Sequence, residues 1–259
     1  MVKLTKDTVH SVDKALAVLE ALGRVDEIGI SDLNRELGIG KGTIHRLITT
    51  LRINGYVEQT ETEKYRMSLK LFEMGNKVVN RLGIRKIANP YMEQIARDTK
   101  ETVNLGVLDG GEVIYIERIE SLEPLRMGLE VGTRVPVYCS ALGRAIISYY
   151  TPDEINNILT SIVNKGRMTQ RTENTVTDPK ILMKRMQIIK EQGYSFEDEE
   201  IATGLRCVAA PIFNFTGKVV AAVSIASPKV RLTDEVLPEF VALLKKSTKE
   251  ISIRLGYNK

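Results

Sequence analysis

The feature that most constrains this chain is residues 37–57, twenty-one positions without a single Asp or Glu, opened by Gly38-Ile39-Gly40 and closed by Asn54-Gly55. Within it Ile44, Leu47, Ile48 and Leu51 recur at i, i+3, i+4 and i+7, which predicts a helix over 41–53 with one apolar face. Thr43, His45, Arg46, Thr49, Thr50 and Arg52 are left on its other sides. Residues 32–37 read as a shorter helix, capped by Ser31 and stopped by Gly38. An earlier helix, with Ser11 as its cap, carries Val12, Ala15, Leu16, Leu19 and Leu22 on its expected core face. A short helix, a glycine turn and a longer helix with an acid-free polar face form a helix-turn-helix.

Such a helix locks itself to its neighbours through apolar residues and offers hydroxyl and basic side chains to base edges and phosphates. Residues 1–67 hold ten Lys/Arg and ten Asp/Glu, so this part is neutral overall and its positive charge is local. Locality is what counts for a phosphate-binding surface, because salt screens charges farther away than about 8–10 Å. Residues 55–59 and 64–67 read as two short strands around Thr60-Glu61-Thr62-Glu63, a wing whose tip is acidic. The expected DNA contacts are therefore Ser31, Lys41, Gly42, Thr43, His45, Arg46 and Thr49, with Lys64 and Arg66 rather than the tip acting from the wing. The alternative for such a domain is a winged-helix interaction module that docks on protein rather than DNA.

Residues 68–83 predict a linker helix, about 20 Å long, carrying Leu69, Phe72, Met74, Val78, Val79 and Leu82. It either spaces two DNA domains in a dimer or packs on its own domain. From residue 84 the pattern turns to mixed α/β: a helix over 87–99, a hairpin over 102–108 and 113–119, and a strand over 125–131. Helices follow that start at Ser140, at Thr151-Pro152 and at Asp178-Pro179, the last ending at Gly193. A second hairpin spans 207–213 and 218–227, and a C-terminal helix begins near Thr233. The expected fold is α+β, three parts in all: a winged helix-turn-helix over 1–67, a linker helix over 68–83, and a sensor domain over 84–259 with an antiparallel sheet and one layer of helices.

Several function classes are disfavoured. The chain has no Gly-x-Ser-x-Gly, no P-loop and no zinc-ligand spacing, and its two histidines, His10 and His45, both precede residue 67. No apolar run is long enough to span a bilayer and the N-terminus lacks a signal-peptide core, so a cytoplasmic protein without an expected cofactor is predicted. Cys139 and Cys207 are too few for a disulfide framework. A redox-responsive pair remains a rival reading for them.

Over nearly its whole length the sequence resembles the IclR family of bacterial regulators. The resemblance is carried by Gly38-Ile39-Gly40-Lys41-Gly42-Thr43-Ile44-His45-Arg46-Leu47, in which Gly42 stands where a serine is more usual. It is also carried by Tyr138-Cys139-Ser140-Ala141-Leu142-Gly143-Arg144-Ala145, by Gly204-Leu205-Arg206-Cys207-Val208-Ala209-Ala210-Pro211-Ile212, and by Val220-Ala221-Ala222-Val223-Ser224-Ile225-Ala226. It implies a GAF-like sensor domain, a homodimer or homotetramer, operator DNA as partner, and a small organic-acid effector, sugar-derived or aromatic. Effector contacts implied by the resemblance fall on Met127, Val135, Ala141, Leu142, Gly143, Glu197, Cys207 and Ser224. A second serine often follows two positions after the first; Ala226 occupies that place here, which points to a less polar or differently oriented ligand.

The residues themselves support parts of this. Ser224 and Ala226 share one face of a strand, with Cys207 across the hairpin. Unpaired N–H groups at a helix start near Ser140 suit a carboxylate. Arg206 either meets the effector or pairs with one of Glu197, Asp198, Glu199 and Glu200. Glu197 in an anion pocket makes sense where it accepts a hydroxyl or holds a basic neighbour.

Overall fold

A computed structural model describes residues 8–81, 83–125 and 129–258. The chain divides into two compact units, Met1–Arg81 and Leu82–Lys259. In the first, α1 (His10–Leu22), α2 (Ile30–Leu37) and α3 (Lys41–Ile53) surround one apolar cluster of Val18, Ala21, Leu22, Ile28, Leu33, Ile44, Ile48, Val57 and Tyr65. Gly38, at φ 66°, ends α2 in the left-handed conformation that the glycine turn requires. Strands β1 (Val57–Gln59) and β2 (Tyr65–Met67) pair antiparallel as the wing, and Ile28 adds a bridge to Tyr65.

Two sequence expectations change here, on the caps and on the buried stripe of α1, and a third that was open, the linker helix, finds its place. Neither Ser11 nor Ser31 caps a helix: the N-cap positions are Val9 and Gly29, so both serines already lie in first turns. The buried stripe of α1 is Val18, Ala21 and Leu22, whereas Val12 and Leu16 face outward. Helix α4 (Leu69–Arg81) belongs to the first unit, where Lys70 donates to the Asn54 carbonyl at 2.7 Å and sits 4.6 Å above the Tyr56 ring.

The second unit is built on a six-stranded antiparallel sheet in the order β5-β4-β3-β8-β7-β6. These strands are β3 (Thr102–Asp109), β4 (Glu112–Ile119), β5 (Arg134–Pro136), β6 (Ser195–Asp198), β7 (Leu205–Phe213) and β8 (Val219–Pro228). Helices α5 (Ile84–Thr99) and α9 (Leu237–Arg254) pack on one face, and α6 (Ala141–Ile147), α7 (Pro152–Asn164) and α8 (Pro179–Gln192) cover the other. The fold is thus α+β as expected, but with helices on both faces rather than in one layer. Strands β5 and β6 were not anticipated. The strand expected over 125–131 is not found in its described residues, Leu125 and 129–131; the segment turns instead toward β5.

Predicted start signals of the middle helices hold. Ser140 Oγ accepts from the Gly143 amide at 3.0 Å, Thr151 and Glu154 form a reciprocal capping box, and Asp178 accepts from the Lys180 amide. Gly143 is required by a close approach: a Cβ there would lie 2.4 Å from Val137 Cα and 2.8 Å from its carbonyl oxygen. Because backbone cannot yield as a side chain tip can, Gly143→Ala is expected to destabilise the second unit by about 1–3 kcal/mol or more, read as a lowered denaturation midpoint. The exposed Gly42, whose added Cβ would meet nothing within 4 Å, is the matched control: Gly42→Ala should leave the midpoint unchanged or raise it.

Candidate functional site

On the first unit, α3 buries Ile44 and Ile48 and leaves Lys41, Gly42, His45 and Arg46 exposed, with Thr43 and Thr49 half-buried. Ser31 is exposed in the first turn of α2. Neither Lys41 nor Arg46 takes part in an ion pair among the described residues, so α3 presents uncompensated charge. The wing differs. Lys64 lies 3.1 Å from Glu27, and Arg66 holds Glu58 at 3.0 Å across the β1–β2 pair. Exposed pairs of this kind contribute only about 0–1 kcal/mol, so an incoming phosphate can replace the acid.

On the second unit, cross-strand neighbours share a face, which sorts the sheet residues without ambiguity. One row runs Ser195–Ala209–Ser224–Asn104–Arg118 over β6, β7, β8, β3 and β4; the next runs Glu197–Cys207–Ala226–Thr102. Both lie on the face covered by α6, because a Cβ at Gly106, two residues along from Asn104, would touch Leu142. Val135 joins the same core from β5, opposite Val113, together with Ala141, Leu142 and Cys207. The structure thus gathers Val135, Ala141, Leu142, Glu197, Cys207 and Ser224 on or against one sheet face. Met127 lies outside the described residues.

Gly143 is present but differently used. Its amide is engaged by Ser140 Oγ and the amide of Arg144 by the Ser140 carbonyl, so neither of these two is open to a carboxylate.

Glu197 is the carboxyl among these groups, and it is strongly perturbed. It is fully buried, and its Oε1 accepts from the Glu200 and Ile201 amides while Oε2 has no partner. Burial pushes its carboxyl up to about 7, against those two amides and the Cys207 thiol, which favour the charged form. Two more buried polar atoms on this face lack partners, Asn104 Oδ1 and Ser195 Oγ. Sequence reasoning missed both, since neither residue belongs to a motif.

Arg206 resolves in favour of structure. It holds Asp198 through two bonds of 2.7 and 3.0 Å and Asp234 at 2.8 Å, on the opposite face from Cys207. Arg144, buried on α6, binds both oxygens of Glu200 at 2.7 and 2.8 Å. Cys139 and Cys207 are free and buried; burial raises Cys139 to about 11 and Cys207 well above the ordinary thiol range, the latter aided by the Glu197 charge. No helix among the described residues is long and apolar enough to cross a membrane, and none of their His, Cys, Asp and Glu side chains cluster to hold a metal ion.

Residues 11–61 match the IclR helix-turn-helix domain, and residues 76–253 match the domain described as bacterial transcriptional regulator IclR C-terminal. This chain belongs to the IclR family. It is 38% identical over 253 residues to the HTH-type transcriptional regulator KdgR of Escherichia coli, covering 97% of this chain and 95% of that one. It is 29% identical to the transcriptional repressor IclR of the same organism, covering 96% and 90%. Among solved structures it is similar to an IclR homologue from Microbacterium hydrocarbonoxydans complexed with 4-hydroxybenzoate, with TM-score 0.83, 26% identity and coverage of 95% and 98%. An IclR-family protein is a DNA-binding transcriptional regulator and not an enzyme.

Two outcomes test the electrostatics of the site. A raised Glu197 means that the folded chain binds a proton more tightly than the unfolded one. Its contribution to stability is therefore complete below the ordinary carboxylate value of 4.5 and is lost as pH rises toward 7. The difference in unfolding free energy between wild type and Glu197→Gln, followed across that window, should change monotonically with wild type losing ground as pH rises; a flat difference would overturn the assignment. Both thiols should resist an aromatic disulfide reagent in the folded chain and react only on unfolding, because the thiolate is the reactive form. Rapid labelling of Cys207 in the native state would revive the redox reading.

Proposed function

We propose that this chain is an effector-controlled repressor that binds operator DNA through α3 and senses a small organic acid on the α6-covered face of its sheet. The observation that carries the DNA half is the charge contrast within the first unit. Lys41, His45 and Arg46 stand exposed and unpaired on an acid-free helix, flanked by Thr43 and Thr49, while the wing cations are held by Glu27 and Glu58. The N-terminal half of α3 enters the major groove in this reading, Ser31 reaches backbone from α2, and Lys64 and Arg66 exchange their acids for phosphate.

The effector half is supported by Glu197, Cys207 and Ser224 lying together beside buried polar atoms that have no partner. A relative that holds 4-hydroxybenzoate makes a carboxylate effector a reasonable class here too. Ala226, next along the strand face from Ser224, removes one hydroxyl from that surface.

A second copy of the chain completes the unit. Helix α1 exposes Val12 and Leu16, with Val9 at its N-cap, and α4 exposes Leu69 at 76%, Phe72 at 66% and Val78 at 64%. A monomer gains nothing by showing such apolar faces, and a homodimer that covers them would set two recognition helices on a palindromic operator. Repression fits the relatives named as repressors, such as the E. coli IclR protein.

Arg46→Ala should weaken binding to the chain's own upstream region by about 1–3 kcal/mol and lower the salt dependence, measured by gel shift at several salt concentrations. Unchanged affinity and slope would remove Arg46 from the interface. Loss of all DNA binding to any upstream fragment by the wild-type protein would favour a protein-docking role for the winged helix.

A further inference from the structure

Helix α3 ends in a corner that α4 closes. A helix C-terminus leaves its last carbonyls without donors from its own helix. Here the Thr50, Leu51 and Arg52 carbonyls accept from the Asn54, Tyr56 and Gly55 amides at 3.1, 2.9 and 2.9 Å. The carbonyls of Asn54, Gly55 and Tyr56 are met from farther along the chain. Lys70 Nζ donates to Asn54 at 2.7 Å, Ser68 Oγ donates to Gly55, and the Ser68 amide donates to Tyr56 at 3.0 Å. These donors come from the first turn of α4 and the residue before it.

Lys70 does more there than complete one bond. Its stem passes over Gly55, where an added Cβ would lie 3.5 Å from Lys70 Cδ, and its ammonium stands 4.6 Å from the centre of the Tyr56 ring. The helix dipole favours a cation at a helix C-terminus, and the ring quadrupole favours one over an aromatic face. At Lys70 both act on the same group. Ser68 also works in two directions, because its hydroxyl accepts from the Lys70 amide at 3.3 Å while it donates to Gly55. On the other side of the corner, Arg52 donates to Gln59 Oε1 on β1 at 2.6 Å, which ties in the wing. Farther along α4, Phe72, Met74 and Val78 are exposed, and the helix ends at Arg81 with the first unit. Residues 68 and 70 thus join α3 to the segment through which the chain leaves this unit.

Resting on the reading of α3 as the helix that meets DNA, we propose that Lys70 is a positioning residue for operator recognition. It clamps the C-terminal end of α3 to α4 and so fixes the angle at which Gly42, His45, Arg46 and Thr49 are presented. Those four recur at i, i+3, i+4 and i+7, so they share one side of α3 and move together when the helix tilts. About 18 Å of helix separates Gly42 from Asn54, so a tilt of about 10° at the clamped end shifts Gly42 by about 3 Å, the length of a hydrogen bond. Ile44 and Ile48 hold α3 to the core, but apolar burial has no direction of its own. The clamp supplies direction. Base-edge contacts need that direction, whereas attraction to phosphate does not. A chain with the clamp loosened spends only part of its time with α3 correctly aimed, and its apparent affinity for a specific sequence falls in proportion.

The test is fluorescence anisotropy of the full chain on two labelled duplexes of equal length, the chain's own upstream region and a shuffled sequence, at several salt concentrations. Lys70→Met keeps the stem and removes the charge and the donor. It should weaken binding to the upstream duplex by about fivefold or more and leave the shuffled duplex within about twofold. The salt slope and the denaturation midpoint should stay at their wild-type values. Lys70→Arg, which reaches the same carbonyl and ring, should recover most of the loss. Equal weakening on both duplexes, with a salt slope smaller by about one, makes Lys70 a phosphate contact and overturns the proposal. Unchanged upstream binding by Lys70→Met overturns it too. Arg46→Ala keeps the two readings apart. If Arg46→Ala weakens upstream binding and Lys70→Met does not, α3 stands as the recognition helix and the clamp falls. If neither variant weakens it, or the wild type binds both duplexes equally, the reading of α3 falls and takes the clamp with it.

Discussion

The buried ion pair of Arg144 and Glu200 is the interaction around which the second unit is organised. A guanidinium at 1% exposure is tolerable only when it is paired, and both terminal nitrogens of Arg144 are, although its Nε is not. Its bonds go to both Glu200 oxygens, to the Phe196 carbonyl at 2.9 Å and to the Tyr138 carbonyl at 3.3 Å. Those partners come from β6, the turn after it and the segment that leads into α6, so none of these can dock without the others. Arg185 adds a second cation to Glu200 from α8, and Thr175 donates to the Glu200 carbonyl at 2.7 Å. The same turn directs the Glu200 and Ile201 amides at Glu197, which fixes one carboxyl oxygen and leaves the other directed at the sheet face. A structural ion pair thereby sets the orientation of the most perturbed acid in the chain.

The two faces of the sheet divide labour. Against α5 and α9 the side chains are Val103, Leu105, Val208, Ala210, Val223 and Ile225, with charge confined to the margins, where Arg85 meets Glu117 and Arg206 meets Asp198. That face is ordinary core. Beneath α6 the same strands carry Asn104, Ser195, Glu197 and Ser224 among small residues, Ala209, Ala222 and Ala226. Small side chains leave room and polar ones leave bonds unmade, which is a poor recipe for stability and a good one for recognition.

This division explains what could be read from the sequence. Hairpins β3–β4 and β7–β8 were legible because their strands are long and apolar on at least one face, and the caps at Ser140, Thr151 and Asp178 because each precedes a periodic run. Strand β6, Ser195-Phe196-Glu197-Asp198, was not. Its inward residues are the polar Ser195 and Glu197 while Phe196 is only half-buried, the reverse of the alternation that signals a strand. The helix α1 error has a related cause: two apolar stripes overlap, and periodicity cannot say which one the core takes and which one is left outside for a partner. Motif resemblance pointed to Cys207 and Ser224, whereas Asn104 and Arg118 lie in two strands, β3 and β4, whose patterns are unremarkable until their neighbours are known.

Control of DNA binding requires that a ligand distinguish two states of the protein. Glu197, Ser195 and Asn104 are essentially sealed beneath α6, so a ligand reaches them only from a state in which that face has opened. Opening must work against the Arg144–Glu200 pair and the close contact of Gly143 with Val137, both on the one short helix that covers the site. On the reading proposed above, the segment most constrained by packing is the one a ligand would have to move, which makes α6 the natural carrier of a signal within the second unit.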